Sequence, residues 1–240
     1  CPYHCAFCGN VHTSPVTFRS VNNILKETFE LMKRNVYHLR FVDDNFTLHP
    51  QLEQLCYEFK QYGIKYRCHT RSNLINSEKA SWLALSGCEE CSLGIESADP
   101  HVLSLNNKGE TVESHRRATQ ILKNAGVKVK FYWMSGLPGE TDKTLELNMQ
   151  FMKELKPEKW TLSTFTPYPG CDIYKNPQKY GVTIINPNWN NWWNFVFNVR
   201  ELTFEERKGY VHKLNGQTIE EMKARHDKFY YYLLREEWAK

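Results

Sequence analysis

What most constrains this chain is a repeated alternation of two apolar periodicities. Residues 20–34 carry Val21, Ile24, Leu25, Thr28, Leu31 and Met32 on one helical face, with Ser20 placed to cap it. His38–Val42 then reads as a buried strand. The same pairing recurs: helix Gln51–Tyr62, between Pro50 and Gly63, then strand Ile64–Cys68. Helix Ser77–Leu85 precedes strand Cys91–Ile95, with Gly87 between them. Thr111 and Gly126 bracket helix Val112–Ala125, which leads to strand Val127–Met134, then helix Lys143–Leu155 and strand Trp160–Phe165. Strands separated by helices at intervals of roughly thirty residues are βα units with right-handed crossovers, so the sheet is parallel. An open doubly wound sheet and a full or partial barrel both satisfy this pattern. Both place functional loops at the carboxyl ends of the strands.

Residues after 171 depart from the pattern. Residues 186–198 are rich in Asn and Trp, and Leu202–Lys213 and Ile219–Trp238 read as two mixed-charge helices outside the core. The expected organisation is a core over 1–171 and an aromatic-rich, mainly helical extension over 172–240. With 41% hydrophobic residues the chain has material for a real core, and it lacks the eighteen-residue apolar run of a membrane span. The net charge of +4 comes from 31 basic and 27 acidic residues without a basic stripe, so no clear nucleic-acid surface is expected. The chain begins on a cysteine and lacks an initiating Met, and reads as part of a longer protein.

Cysteine usage separates metal from disulfide chemistry. Cys1, Cys5 and Cys8 fall within eight residues and no signal peptide precedes them, which suits metal ligation in a reducing cytoplasm. Thiolates are soft donors and select zinc, copper(I) or iron–sulfur clusters. A zinc site from Cys1, His4, Cys5 and Cys8 satisfies the spacing. So does an iron–sulfur cluster with one iron left open for another ligand, an opening useful to catalysis. Cys88 and Cys91 form a C-x2-C pair with no second pair, away from the expected active end, and read as structural.

Polar motifs follow each strand in turn. They are Phe41-Val-Asp43-Asp44-Asn45-Phe46, then Thr70-Arg71-Ser72, then Gly94-Ile-Glu96-Ser97-Ala98-Asp99-Pro100 with Asn107-Lys108-Gly-Glu-Thr111. Met134-Ser-Gly136-Leu-Pro138-Gly-Glu-Thr141 and Thr164-Phe165-Thr166-Pro-Tyr-Pro-Gly-Cys171 complete the series. Arg71 is suited to pairing with a carboxylate, and two glycines beside Pro138 permit close backbone approach.

In this order the motifs resemble those of the radical S-adenosylmethionine (SAM) superfamily: a C-x3-C-x2-C loop with an aromatic, Phe7, before the third cysteine, a GIES strand, a K-G-x-T helix start and a P-x-P-G segment. The resemblance implies a partial (β/α)6 barrel of parallel strands whose first strand lies upstream of Cys1. It implies that Cys1, Cys5 and Cys8 hold a [4Fe–4S] cluster whose fourth iron chelates SAM. Reductive cleavage of SAM then gives methionine and a 5′-deoxyadenosyl radical. In the same terms, Asp43, Asp44 and Asn45 replace the usual Gly-Gly-Glu that binds the SAM amino group. Lys108 is assigned to its carboxylate, Arg71 to that carboxylate or to an acidic substrate, and Glu96 and Ser97 to its ribose or methionine part. Gly136, Pro138, Phe165 and Thr166 are assigned to the adenine pocket. Ala98 and Cys171 stand where glycine and threonine are usual, and Cys171 reads as inert and buried.

The pattern is closest to the branch that carries a cobalamin-binding domain before the radical core, which includes carbon methylases and ring-forming enzymes. That resemblance implies an enzyme, a methyltransferase acting on an unactivated carbon of a small-molecule substrate, with cobalamin bound mainly by an upstream domain. Its electron donor would be a flavodoxin or ferredoxin. Cyclisation, rearrangement or epimerisation without methyl transfer is the second enzymatic reading, and a zinc-binding module the non-catalytic one. The Trp-rich residues 189–197 are expected to shape the substrate end or to seal the barrel.

Overall fold

A computed structural model describes residues 1–9, 16–185, 210–236, 238 and 239. Helix α1 (Val21–Met32) starts where expected, with the Ser20 hydroxyl accepting from Asn23 N–H at 3.2 Å. It leads to β1 (His38–Arg40). Then come α2 (Leu52–Tyr62), ended by Gly63 at φ 65°, and β2 (Lys65–Thr70). Helix α3 (Ser77–Leu85) is capped by Asn76 and precedes β3 (Cys88–Glu96). Short α4 (Pro100–Leu105) and α5 (Val112–Asn124) lead to β4 (Lys128–Ser135), and α6 (Asp142–Leu155) to β5 (Lys159–Thr164).

The five strands are all parallel, lie in the order β1-β2-β3-β4-β5, and curl into a half-barrel. Alternation decides which face is covered. On β4, Val129, Phe131 and Trp133 are fully buried under the helices, whereas Lys130, Tyr132 and Met134 between them are partly exposed on the concave face. Near the end of β3 the register slips: Gly94 pairs with Tyr132 and Glu96 with Trp133, so Ile95 is an inserted residue. Such a bulge bends the strand and re-aims the side chain that follows it.

Beyond Thr164 the chain forms α7 (Asp172–Lys175), β6 (Val182–Ile184), β7 (His212–Leu214) and α8 (Ile219–Leu234), with β6 and β7 antiparallel. Two expectations are corrected here. The helix expected over 202–213 ends in a strand at its described residues, because Val211–Leu214 pairs with β6. The final helix stops at Leu234 and does not lie outside the core. Phe229 meets Trp133 edge-on at 5.4 Å, Tyr232 donates to Met149 O, and Met222, Phe229 and Leu233 are buried. Tyr230 packs its ring against Trp160. The Trp-rich residues 189–197 lie outside the described residues. None of the described helices is long and apolar enough to cross a membrane.

Candidate active site at the carboxyl ends of the strands

The cysteine loop lies over the carboxyl ends of the strands, and backbone bonds hold it there. Ala6 N–H donates to Asn106 O at 2.8 Å, and Ala6 O accepts from Ile173 N–H at 3.2 Å. Asn107 Nδ2 donates to His4 O at 2.7 Å. These bonds tie the loop to the α4–α5 connection on one side and to α7 on the other. Cys1, Cys5 and Cys8 are all half-buried, and none of the eight cysteines is in a disulfide. Asn45 Nδ2, after β1, lies 3.1 Å from the Cys1 sulfur, and Arg71 Nη1, after β2, lies 3.3 Å from the Cys5 sulfur. The Arg71 guanidinium also sits 3.9 Å from the Tyr3 ring centroid.

A buried ion network lies beneath the loop. Lys108 Nζ is 3.2 Å from Glu96 Oε1 and 3.3 Å from Glu110 Oε2, and Arg71 Nη2 is 3.3 Å from the same Glu110 oxygen. Arg71 also donates to Lys108 O, and Asn73 N–H donates to Glu110 Oε1 at 3.0 Å. Burial works against the Lys108 charge, but the two carboxylates outweigh it and hold its pKa above the ordinary lysine value. The bulge on β3 places Glu96 at φ 62°, a strained conformation for a residue with a side chain. Its carboxylate reaches back to Gly94, where a Cβ would come within 2.6 Å of Glu96 Oε1 and 3.1 Å of Lys108 Nζ. Gly94 is thus the space into which this pair folds. Lys108 Nζ also lies 5.9 Å from the Phe7 ring centroid, so the aromatic residue of the cysteine loop roofs the network.

The other expected residues divide between this mouth and its supports. Asp43 and Asp44 are exposed beside the buried Asn45. Ser97 is buried, and its hydroxyl accepts from Asp99 N–H at 3.1 Å, which shapes the turn into α4. Gly136 and Pro138 are also buried. Gly136 O accepts from His212 Nε2 at 2.8 Å, and Pro138 O accepts from Asn106 Nδ2 at 2.9 Å. Phe165 and Thr166 are buried at the end of β5, with Phe165 edge-on to His212 at 5.1 Å. Cys171 is buried beside them and caps α7, and burial raises its thiol pKa.

Several contributors went unassigned from the sequence. Glu110 carries half the negative charge of the network, and its place two residues after Lys108 was the available signal. His115 donates or accepts at 2.8 Å with Ser72, and burial first, then Lys108 and Arg71, lowers its pKa to about 3. Tyr210, His212 and Arg225 come from the extension and had no local signal. Arg225 pairs with buried Glu140, whose Oε2 accepts from Gly136 N–H at 2.9 Å. Burial raises the Glu140 pKa and Arg225 opposes that.

The donor set fits an iron–sulfur cluster with SAM beside it. In a cubane each thiolate binds a different iron, so three spaced sulfurs suit it. An amino-acid ligand on the open iron would meet both signs of charge, in Glu96 and in Lys108 with Arg71.

The chain is similar to known proteins over most of its length. The chain is 27% identical over 227 residues to an uncharacterized methyltransferase of Pyrococcus horikoshii, covering 88% of this chain and 49% of that protein. It is 28% identical over 182 residues to the anaerobic magnesium-protoporphyrin IX monomethyl ester cyclase of Rubrivivax gelatinosus, covering 73% and 33%. The chain therefore spans about half, or less, of the length of these curated relatives. Its fold is similar to that of the radical S-adenosylmethionine methyltransferase TsrM of Kitasatospora setae, solved with cobalamin and a [4Fe–4S] cluster. The TM-score is 0.64 at 19% identity, covering 76% of this chain and 40% of that one. The Radical SAM superfamily pattern matches residues 1–152, well over half of the chain, and the chain belongs to that superfamily.

Proposed function

We propose that Cys1, Cys5 and Cys8 hold a [4Fe–4S] cluster that cleaves SAM reductively, so that hydrogen is abstracted from a small-molecule substrate in the half-barrel. The observation that carries this reading is the half-buried cysteine loop set directly over the Lys108–Glu96–Glu110–Arg71 network. When bound, cluster and SAM supply a reactive carbon radical from one transferred electron. The chain's own residues have other tasks. Asn45 and Arg71 orient two of the cysteine sulfurs. Glu96, aimed inward by the bulge, accepts hydrogen bonds from an ammonium or a ribose, and Lys108 with Arg71 receives a carboxylate. The exposed Asp43 and Asp44 offer further acceptors at the rim, while buried Ser97 keeps the turn that sets Glu96. Gly136, Pro138, Phe165 and Thr166 form the dry wall for a flat base, and Phe7 closes the roof.

The reaction proposed is cobalamin-dependent methylation of an unactivated carbon. It is supported by the methyltransferase relative and by the likeness to a fold solved with cobalamin. Cobalamin would be held mainly by polypeptide outside this chain, and a flavodoxin or ferredoxin in a reducing cytoplasm would supply the electron. Oxidative cyclisation is the second reading, favoured by the cyclase relative.

Anaerobic reconstitution of the full-length protein with iron and sulfide should give [4Fe–4S] absorption. Addition of SAM and a reductant should release 5′-deoxyadenosine, and Cys1→Ser, Cys5→Ser and Cys8→Ser should each abolish both signals. A full-length protein that binds one zinc and no cluster under these conditions would sink the proposal. Transfer of labelled methyl from SAM to product then separates methylation from cyclisation.

A further inference from the structure

The concave face of the sheet carries a charge pattern that the reading above does not use. Below the mouth, the side chains facing away from the helices include Arg40, Arg67, His69, Lys130 and Lys159, with the carboxylate of Glu90 among them and Glu89 reaching His38 at the near end of β1. Arg40 is the register partner of Arg67, and Lys130 is the register partner of Lys159. Neighbouring strands lie about 4.8 Å apart, so each pairing sets two cations side by side on one face. Like charges placed directly opposite destabilise a sheet. Glu90 is buried and meets Lys159 Nζ at 2.6 Å, which leaves Arg40, Arg67 and Lys130 without an ion pair among the described residues. Burial lowers the Lys130 pKa. Glu90 opposes this, and Arg40, Lys159 and Arg67 add to the lowering. The His69 pKa is lowered by burial and by Arg40 and Lys130, against Glu90 and Asp44.

The layer also has a flat wall. The His69 and Tyr132 rings lie parallel, 6° apart in plane and 5.5 Å between centroids, and Lys130 Nζ is 4.9 Å from the Tyr132 centroid. Ser92, the register partner of Lys130, precedes Glu96 by four residues on β3. At about 3.3 Å per residue this places the basic layer roughly 10–13 Å below the mouth. Arg40, Arg67 and Lys159 are exposed to solvent on this open face and Lys130 is half-buried, so an anion entering between them would relieve their mutual repulsion.

We infer that this layer, lined by Arg40, Arg67, Lys130 and Lys159, seats the anionic group of the substrate, a carboxylate or a phosphate. An anion held there places the far end of a molecule about 10 Å long at the mouth. Calling the occupant a substrate rests on the SAM-cleaving reading; the anion seat is a property of the face itself.

The test is a fluorescence titration at neutral pH of the full-length protein that contains this chain. The probes are 2-naphthoate, 2-naphthyl phosphate and the uncharged 2-naphthol. At least one anion should bind about tenfold more tightly than 2-naphthol, and the tighter anion distinguishes a carboxylate from a phosphate ligand. Lys130→Gln and Arg67→Gln should each weaken that anion about tenfold and leave 2-naphthol unchanged. Lys26→Gln, the same charge change on the exposed side of α1, should do nothing. Failure of both anions, equal binding of 2-naphthol, or indifference to Lys130→Gln would overturn the inference. The titrations need no cluster, whereas iron content and 5′-deoxyadenosine release report on the radical reading, so each fails on its own measurement.

Discussion

Arg71 lies 3.3 Å from the Cys5 sulfur through Nη1 and 3.3 Å from Glu110 Oε2 through Nη2. One buried cation thus serves both the thiolate loop and the carboxylate beneath it. Removing it leaves Glu110, whose side chain is wholly buried, to Lys108, which Glu96 already engages. Breaking a buried pair from one side costs about 3–5 kcal/mol, so Arg71→Met should lower folding stability by that amount. Arg71→Lys keeps the charge but loses the planar fork, and should cost less. Denaturant midpoints of the two variants measure this. A loss below about 1 kcal/mol for Arg71→Met would show that Lys108 alone balances the site.

Gly94 offers a way to move the site without unfolding it. An alanine Cβ there meets first the ends of two flexible side chains, Glu96 Oε1 at 2.6 Å and Lys108 Nζ at 3.1 Å. Gly94→Ala should therefore lower stability by about 1–3 kcal/mol, short of unfolding, because the carboxylate and ammonium can swing aside. The same swing displaces the groups proposed to receive SAM. Equilibrium binding of labelled SAM to the reconstituted protein should weaken at least tenfold, a loss of about 1.4 kcal/mol. Unchanged affinity would mean that Glu96 and Lys108 do not contact SAM.

The legible part of this protein is its repeating part. Caps such as Ser20 and Thr111, stops such as Gly63 and Gly126, and buried strands such as Val127–Met134 are local signals, and local signals survive into the fold. The cysteine loop was legible for the same reason, since its spacing is short. What escaped depends on partners distant in sequence. The bulge at Ile95 exists only relative to β4, and no run of residues announces it. His212-Lys-Leu214 sits in a mixed-charge stretch that satisfies helical spacing, yet its burial alternates because β6 lies alongside. The basic inner layer needed the register: Arg40 and Arg67 are 27 residues apart in sequence and adjacent only in the sheet.

His115 makes stability depend on acid. Its folded pKa is about 3, while the unfolded value is about 6.5, so the unfolded chain binds the extra proton. Stability is complete above pH 6.5 and is lost as pH falls toward the folded value. By pH 5 the loss from this residue amounts to about 2 kcal/mol. His212, buried and lowered to about 4 with its Nε2 donating to Gly136 O, adds a loss of the same sign. His115→Asn keeps a polar partner for Ser72 and removes the titrating ring. Its stability, measured by denaturant between neutral pH and pH 5, should fall less steeply than that of the unsubstituted protein. Parallel curves would mean that His115 protonates freely when folded.

Gly136 and Tyr210 join the barrel to its extension, and their contact can be measured. Gly136 has φ 79°, and a Cβ there would stand 2.3 Å from Tyr210 Cε1, while the Tyr210 hydroxyl donates to Ser135 at 3.0 Å. Gly136→Ala suffers twice, from the left-handed backbone and from the ring edge, for a total of about 3 kcal/mol. Tyr210→Leu removes the ring edge and leaves Ser135 with His226 Nδ1 at 2.6 Å. In the double variant the clash is gone but the backbone strain stays. The two changes should therefore couple favourably, by about 1–2 kcal/mol in a double-mutant cycle read from denaturant midpoints. Strict additivity would show that the extension does not press on the end of β4 in solution, and that the backbone alone makes glycine necessary there.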